Sequence, residues 1–334
     1  MHLFIERNNL SNTLQLECET IHYYKQKKGH LGFCFDMPYS VSTRSDEALV
    51  ERLNQNDFPI IFHGIESTYF LSKGYFHNRK IVVRLQTWKH QKYKKLFHTY
   101  PIGLHKIRYK LKELRYAKFE YELCRKYICA IIPSVNEDTI KSCSYDLAYE
   151  TLPHFIGMTT PMGIEGNGNY CLFHGDFSNK STELTAQWLL KEVFNEVEIP
   201  FVVVAKNPTV EIENLAHEKM HTCIVSNPSD KELIELIKKA HIHILPINEL
   251  SEENNELILS SQLGRHILIN RAHPASKGLQ SICHIARTTK EFKQKITALF
   301  DLPFTNTDIE KRERVTREEF DDKAYAGKLI KMLY

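Results

Sequence analysis

What is missing from the sequence narrows its class first. No apolar run approaches the roughly 18–20 residues that a membrane-spanning helix needs. The opening Met1-His-Leu-Phe-Ile-Glu-Arg has too short an apolar stretch for a secretory leader, and no small-residue cleavage site follows it. The expected location is therefore the cytoplasm. The eight cysteines, Cys18, Cys34, Cys124, Cys129, Cys143, Cys171, Cys223 and Cys283, never form C-x-x-C. Several lie inside apolar runs, as Cys171 does in Tyr170-Cys-Leu-Phe, which suits buried thiols in a reducing compartment rather than a disulfide framework. Internal repeats and low-complexity tracts are also lacking. So is excess charge: 44 Lys and Arg against 41 Asp and Glu leave a net of +3, so the molecule as a whole is no polyanion binder. The 17 histidines read as ordinary surface and core groups, not as a zinc site, and no metal or other cofactor is expected.

What remains is a chain of 334 residues, 42% apolar and 25% charged. That is an ordinary globular balance, and the length fits two domains of about 150 residues each. The C-terminal half alternates cleanly. Strand-like runs at Tyr170–His174, Phe201–Ala205, His221–Val225, His241–Pro246, His266–Asn270 and Cys283–Arg287 alternate with helical stretches at Thr182–Phe194, Val210–Ala216, Asp230–Ala240, Asn255–Leu263, Ser276–Ile282 and Lys290–Phe300. Ser229-Asp-Lys-Glu232 and Thr288-Thr-Lys-Glu291 fit the capping box that opens a helix. Short, fully apolar strands separated by helices predict a parallel sheet covered on both faces, a Rossmann-like domain with ligands at the strand C-termini.

The N-terminal half is less regular. Strands are expected at His2–Glu6, Thr20–Tyr24, Pro59–Phe62, Lys80–Leu85 and Ile128–Ile132, with a helix over Ser45–Asn54 capped by Ser45 and a long helix from Ile102 to Lys126. Leu152–Asn169, with two Pro and four Gly, reads as an interdomain linker. The expected division is residues 1–155, residues 156–307, and a tail over residues 308–334 forming a helix that packs back on the first domain.

One segment departs from the neutral balance. Lys89 to Lys126 holds twelve Lys or Arg and three acids, a local charge of +9. Leu104, Ile107, Leu111 and Leu114 recur within it at helical spacing, which makes an amphipathic basic helix over residues 102–126. Two readings stand: a solvated outer face on a packed helix, or attraction to an anionic membrane surface or phosphate-bearing acceptor, which would make the protein peripheral at the inner membrane face. Aromatics interleave here, but no nucleic-acid motif accompanies them, so nucleic acid is not an expected partner.

Cys171-Leu-Phe-His-Gly-Asp-Phe-Ser, Trp188-Leu-Leu-Lys-Glu-Val-Phe and Phe201-Val-Val-Val-Ala-Lys-Asn-Pro follow one another in the order and spacing of a glycosyltransferase domain. Val225-Ser-Asn-Pro-Ser, Ala240-His-Ile-His-Ile-Leu-Pro, Gly264-Arg-His-Ile-Leu-Ile-Asn and Gly278-Leu-Gln-Ser-Ile-Cys continue the series, and Phe62-His-Gly-Ile-Glu, Val83-Arg-Leu and His90-Gln-Lys-Tyr extend it to the first half. The chain resembles the family 4 type of GT-B glycosyltransferase found in Bacteroidetes-like bacteria, where the second domain opens with strand, H-G-N/D-L-S, helix and A-G-K-N-P. The resemblance implies an α/β fold of two Rossmann-like domains facing a cleft, a nucleotide-sugar donor mostly on the second domain, transfer with retention, and no metal. The acceptor, on the first domain, would be a glycan, a lipid-linked glycan or a peptide.

Stabilising a leaving diphosphate calls for cations and helix N-termini. The resemblance makes Lys206 and Arg265 the cations. Gly175, Asn207, Asn227 and Ser229 become donor contacts, and Asn248, Glu252 and Asn254 the groups facing ribose or sugar hydroxyls. His63, Glu66, Arg84, Gln86 and Tyr93 fall on the acceptor side. Gln86, His90, His174 and Glu252 are the candidates for catalysis.

The sequence departs from the family at the chemistry. Met1-His-Leu-Phe-Ile matches the family's second strand, so the first strand and its glycine-rich loop are not represented. Relatives carry R-L-H-N-x-E-H-x-Y-Y, whereas this chain has Arg84-Leu-Gln-Thr-Trp-Lys-His-Gln-Lys-Tyr93, so Gln86 replaces a histidine and cannot shuttle a proton. The paired glutamates of many relatives fall on Ser251 and Leu259. Asn254 and Glu256 replace two lysines of the closer pattern T-G-I-K-L-K-L-L. These departures leave two main alternatives: an active transferase, or a GT-B-like protein that has lost catalysis and works as a binding or scaffolding partner of another protein. An unrelated α/β enzyme is a third.

Overall fold

The computed structural model describes residues 1–5, 18–27, 37–85, 87–99, 103–131, 149–152, 155, 163–246, 255–271 and 278–334. The chain divides into two compact units, one of Met1–Pro153 with Tyr325–Tyr334 and one of His154–Ala324.

In the first unit, β1 (His2–Ile5) and β2 (His22–Lys25) pair in parallel as a separate ribbon. Two short helices follow, α1 (Tyr39–Ser42) and α2 (Ala48–Leu53). Ser45 does not cap α2; the Ala48 amide instead donates to Asp46 Oδ1 at 3.2 Å, and the helix starts three residues later than expected. Then come β3 (Ile60–His63), α3 (Tyr69–Ser72), β4 (Ile81–Leu85), α4 (Lys89–Thr99), α5 (Leu104–Lys126), β5 (Ile128–Ile131) and β6 (Tyr149–Thr151). Strands β3 to β6 form one parallel sheet in sequence order. Apolar Ile-Val-Val at β4 is buried on both faces, as a central parallel strand requires, within a core that includes Phe62, Phe70, Leu85, Phe119 and Leu123.

The basic segment is a pair of helices. Tyr93 of α4 stacks on Tyr109 and Tyr116 of α5, while Phe97 lies beneath Lys106 and Lys110, so the two run antiparallel. The face that α5 buries consists of Glu113, Tyr116, Phe119, Glu120, Leu123 and Cys124. The stripe read from the sequence, Leu104, Ile107, Leu111 and Leu114, is exposed instead.

The second unit alternates strand and helix throughout: β7 (Cys171–Asp176), α6 (Lys180–Trp188) extended by one wide turn over Leu189–Val193, β8 (Phe201–Lys206), α7 (Val210–Ala216), β9 (Thr222–Ser226), α8 (Asp230–Lys239), β10 (Ile242–Ile244), α9 (Asn255–Leu263), β11 (His266–Ile269), a short 3-10 turn at Leu279–Ile282, β12 (His284–Ile285) and α10 (Thr289–Phe300). All six strands are parallel, in spatial order β9-β8-β7-β10-β11-β12. Counted from β7 this is 3-2-1-4-5-6, the strand order of nucleotide-binding sheets, and the direction of winding reverses between β7 and β10.

Alternation along each strand divides the core. Phe173, Val203, Ile244 and Phe292 pack on one face, and Leu172, Val204, Ile237 and Leu263 on the other. Each such burial contributes roughly 1.5–3 kcal/mol. Ser229 and Glu232 form the expected reciprocal cap of α8. Thr288 caps α10 through Glu291 N, but the Glu291 carboxylate reaches the Arg287 amide instead of completing the box.

Two expectations are corrected here. The end of the expected linker belongs to the second unit. Gly166 (φ +87°) exchanges backbone hydrogen bonds with Phe304, and a Cβ at Gly168 would stand 2.5 Å from the Ala240 carbonyl carbon. The tail over residues 308–334 is two helices, not one. Helix α11 (Asn306–Glu319) buries Arg312 and Val315 in the second unit, and α12 (Asp322–Leu333) follows a break at Phe320 and Asp321. Leu329, Met332 and Leu333 of α12 pack with Val82, Ala130 and Leu152 of the first unit's sheet.

Candidate functional site

In a parallel sheet each strand's C-terminus feeds a helix N-terminus, so unpaired amides gather along that edge. In the second unit the edge is formed by the ends of β7, β8 and β9 and is tied together by side chains. The Asn207 amide donates to Asn227 Oδ1 at 2.8 Å, and Asn207 Nδ2 lies 3.1 Å from Ser178 Oγ and 3.3 Å from Asp176 Oδ1. Asp176 also accepts from the Ser178 amide at 2.9 Å. That bond, with the Ser178 and Asn207 side chains and the Lys206 charge, holds the Asp176 carboxyl below its ordinary range. Asn207 (φ +53°) and Asn227 (φ +51°) both take left-handed backbone, which asparagine tolerates better than branched residues.

The structure therefore brings Gly175, Lys206, Asn207, Asn227 and Ser229 to one edge. Their side chains differ in availability. Lys206 is exposed. The Ser229 hydroxyl is occupied, donating to Glu232 Oε2 at 2.7 Å. Gly175 has a packing role: a Cβ there would meet Thr182 Cγ2 at 2.8 Å, so glycine lets α6 approach β7. Asn179 caps α6 by accepting from the Ser181 amide at 3.1 Å. On the same edge a cavity of about 290 Å³ opens between α6 and α10, lined by Trp188, Phe292, Pro246, Asn270 and Arg287.

Two candidates of the second unit are withdrawn. Arg265 precedes β11 and so stands at the opposite, N-terminal edge. Its guanidinium donates to the carbonyls of Gly166 (3.1 Å), Lys238 (2.6 Å) and Ala240 (3.1 Å), so it is a structural group, not a donor cation. His174 is buried with Nε2 3.2 Å from Ser260 Oγ, and burial lowers its pKa to about 4, so it is a neutral core histidine, not a catalyst. Gln86, Asn248, Glu252 and Asn254 lie outside the described residues.

His217-Glu-Lys-Met-His221 spells the helical H-E-x-x-H zinc pattern, which the histidine reading above passes over. It is not helical. His217 is the C-terminal cap of α7, and His221 Nε2 lies 2.9 Å from the Phe194 carbonyl. No group of three or more His, Cys, Asp or Glu among the described residues could hold a metal ion.

In the first unit, His63 ends β3, Arg84 lies near the end of β4, and Glu66 sits in the turn after β3, 3.6 Å from Lys89 Nζ. Gly64 (φ +80°) makes the corner and donates to the Arg84 carbonyl at 2.9 Å. His90 is bound to Glu120, with Nδ1 2.5 Å from Oε2. Glu120 also accepts from the Lys89 amide at 2.7 Å and so closes the start of α4. Burial pushes the Glu120 pKa up, against the opposing pull of His90 and the two amides. Tyr93 packs between the helices, stacked 5.3 Å from Tyr116, so its ring belongs to the core and not to an acceptor surface. A larger groove of about 430 Å³ lies away from this edge, between α3 and the C-terminal half of α5.

No protein-family model matches the sequence, and no curated protein is significantly similar to it. Solved structures are. A sucrose-phosphate synthase from Thermosynechococcus elongatus has a TM-score of 0.64 at 10% identity, over 99% of this chain and 87% of that one. A glycosyltransferase from Rickettsia africae has a TM-score of 0.61 at 11% identity, over 99% and 89%. UGT89C1 of Arabidopsis thaliana, complexed with UDP-L-rhamnose, has a TM-score of 0.52 at 11% identity, over 100% and 92%. The chain has the GT-B fold. In a sheet of this winding the crevice outside the strand C-termini opens at the switch point between β7 and β10, and β8 and β9 end on the same edge beside it. Sequence reasoning missed Asp176, Ser178, Asn270, Arg287 and Glu120. The first four were findable, because each lies at or just beyond the end of a strand in the motif series.

Proposed function

We propose that the chain is a nucleotide-sugar-dependent glycosyltransferase of the family 4 type. It transfers a sugar with retention to a glycan, lipid-linked glycan or peptide acceptor. The GT-B fold supports this reading, and so does the UDP-sugar complex of one neighbour. The observation that carries it is the exposed Lys206 ammonium at an edge where Asn207, Asn227 and the capped start of α6 converge. A leaving diphosphate gains there from one cation and from the positive end of the α6 dipole, whose first amides are already held by Asp176 and Asn179. Lys206 holds the diphosphate at the start of α6, Asn207 and Asn227 fix the loops around it, and His63, Glu66 and Arg84 are the proposed acceptor-side groups.

The test is thermal stability against a panel of nucleoside diphosphates. At 1 mM ligand and a Kd near 10 μM the stabilisation is roughly 2.7 kcal/mol, and Lys206→Ala should remove most of it. No shift with any nucleotide would overturn the donor site. Glu256, the acid in the first turn of α9, supports the second reading, a binding protein without catalysis, because a negative charge there opposes a diphosphate. Nucleotide binding without sugar transfer or donor hydrolysis would favour that alternative.

A further inference from the structure

We infer that the outer face of α5 is a docking surface for an anionic lipid bilayer. Leu104, Ile107, Leu111 and Leu114 are 80%, 60%, 47% and 56% exposed, and they recur at i, i+3, i+7 and i+10 on the side opposite the buried Tyr116, Phe119 and Leu123. Four large aliphatic side chains thus form an exposed stripe about 15 Å long. Exposed Arg108, Lys112, Lys118 and Arg125 stand on the same helix, and α4 beside it adds four lysines and no acid.

Charge decides the occupant. The segment from Lys89 to Lys126 carries +9 while the whole chain carries +3, so everything outside it sums to −6. A second copy would set +9 against +9 and is repelled. Nucleic acid offers negative charge but no sink for the aliphatic stripe. Among the described residues Tyr93 stacks on Tyr109 and Tyr116, and Phe97 lies beneath two lysines, so these rings are engaged within the protein and not offered to bases. An anionic bilayer supplies both halves: acyl chains for the stripe and headgroup charge for the flanking cations. No helix among the described residues is long and apolar enough to cross a membrane, so the contact is one that lies on the surface. This inference goes beyond the donor chemistry and does not depend on it.

The experiment is flotation of the full chain with phosphatidylcholine vesicles and with vesicles containing about one third phosphatidylglycerol, at low and high salt. Partition into the anionic vesicles should be at least about tenfold stronger and should weaken with salt. Ile107→Asn with Leu111→Asn should reduce it about tenfold, and Arg108→Ser with Arg125→Ser should remove the lipid preference. All four side chains are exposed, so circular dichroism and the thermal midpoint should stay unchanged, which separates loss of binding from loss of fold. Absence of partition, equal partition into both vesicle types, or partition indifferent to the Asn substitutions would overturn the inference. So would tight binding of nucleic acid that the Asn substitutions leave intact, or self-association that they abolish.

Discussion

Gly264→Ala is the sharpest test of how the second unit is packed. Gly264 closes α9, its amide donating to the Ser260 carbonyl at 2.9 Å. Its φ is not in the left-handed region, so alanine would meet no backbone strain. The obstacle is His243 of β10, which is fully buried and directed at α9. An alanine Cβ would stand 2.1 Å from Nε2, 2.5 Å from Cδ2 and 2.8 Å from Cε1. The ring has to retreat by more than 1 Å into a close-packed interior, and overpacking of that kind costs about 3 kcal/mol. For a unit of this size, that is a fall in Tm of roughly 6–12 °C.

The imidazole has no compensating anchor among the described residues, where neither ring nitrogen has a hydrogen-bond partner. His243→Ala alone leaves a cavity and costs about 2–4 kcal/mol. In the double variant the new methyl enters the space the ring vacated. The pair should cost no more than His243→Ala alone, a coupling of about 3 kcal/mol. Urea unfolding read through Trp188, in a Trp88→Phe background so that only the second unit reports, measures all four states. Additive costs would refute the packing argument.

Two further outcomes follow from the same unit. Burial lowers His174 to about 4, so the unfolded chain, with His near 6.5, takes the proton first; the stabilisation is complete above pH 6.5 and is lost as pH falls. His174 alone should cost about 2 kcal/mol at pH 5, with His241, His266 and His284 shifted in the same direction, and His174→Gln should flatten the dependence of the urea midpoint on pH. An unchanged slope would rule out His174 as its source. Arg312 is 1% exposed, donates to the Gly264 and Arg265 carbonyls, and lies 4.5 Å from the centre of the Phe304 ring. Arg312→Leu should destabilise by about 2–4 kcal/mol, and Arg312→Lys should not fully restore it, because a lysine ammonium lacks the planar pair of nitrogens that meets the two carbonyls and stacks on Phe304. Full rescue by lysine would contradict that geometry.

Much of the second unit was legible because its strands are short apolar runs bounded by clear helix starts. Val210–Ala216 and Asn255–Leu263 fall where the pattern predicts, and Ser229 caps as its spacing requires. In the first unit Tyr149–Thr151 carries no apolar run, so nothing marks β6 before its partner β5 is seen beside it. Helix α5 shows the limit of periodicity. Leu104, Ile107, Leu111 and Leu114 recur as regularly as Tyr109, Tyr116, Phe119 and Leu123, and only the neighbours in space decide which stripe is buried. Arg265 was a different kind of miss. A residue that precedes a parallel strand stands at the N-terminal edge whatever its type, so the order of Arg265 and His266 already excludes it from a site at strand C-termini.

The polarity of that sheet also accounts for three of the seventeen histidines. At the N-terminal edge every helix arrives with its last carbonyls unpaired, and the second unit answers with side-chain donors. His221 meets the Phe194 carbonyl after α6, Thr222 Oγ1 the Ala216 carbonyl of α7, Arg265 the Lys238 carbonyl of α8, and Arg312 the Gly264 carbonyl after α9. His241 Nε2 reaches Leu299 of α10 at 2.9 Å while its Nδ1 accepts from the Gly168 amide at 2.9 Å. That pair of bonds requires the neutral ring with its proton on Nε2, so a metal or a second proton at Nδ1 would have to displace a backbone amide. His266 adds a bond to the Leu302 carbonyl. Cations and imidazoles are therefore consumed at the edge where carbonyls crowd, and an anionic ligand placed there would face dipoles of the wrong sign. At the opposite edge amides crowd, few cations are needed for the fold, and Lys206 remains exposed to solvent. A diphosphate can be accommodated at only one of the two, so Lys206 and not Arg265 is the residue whose removal should take away most of the nucleotide binding.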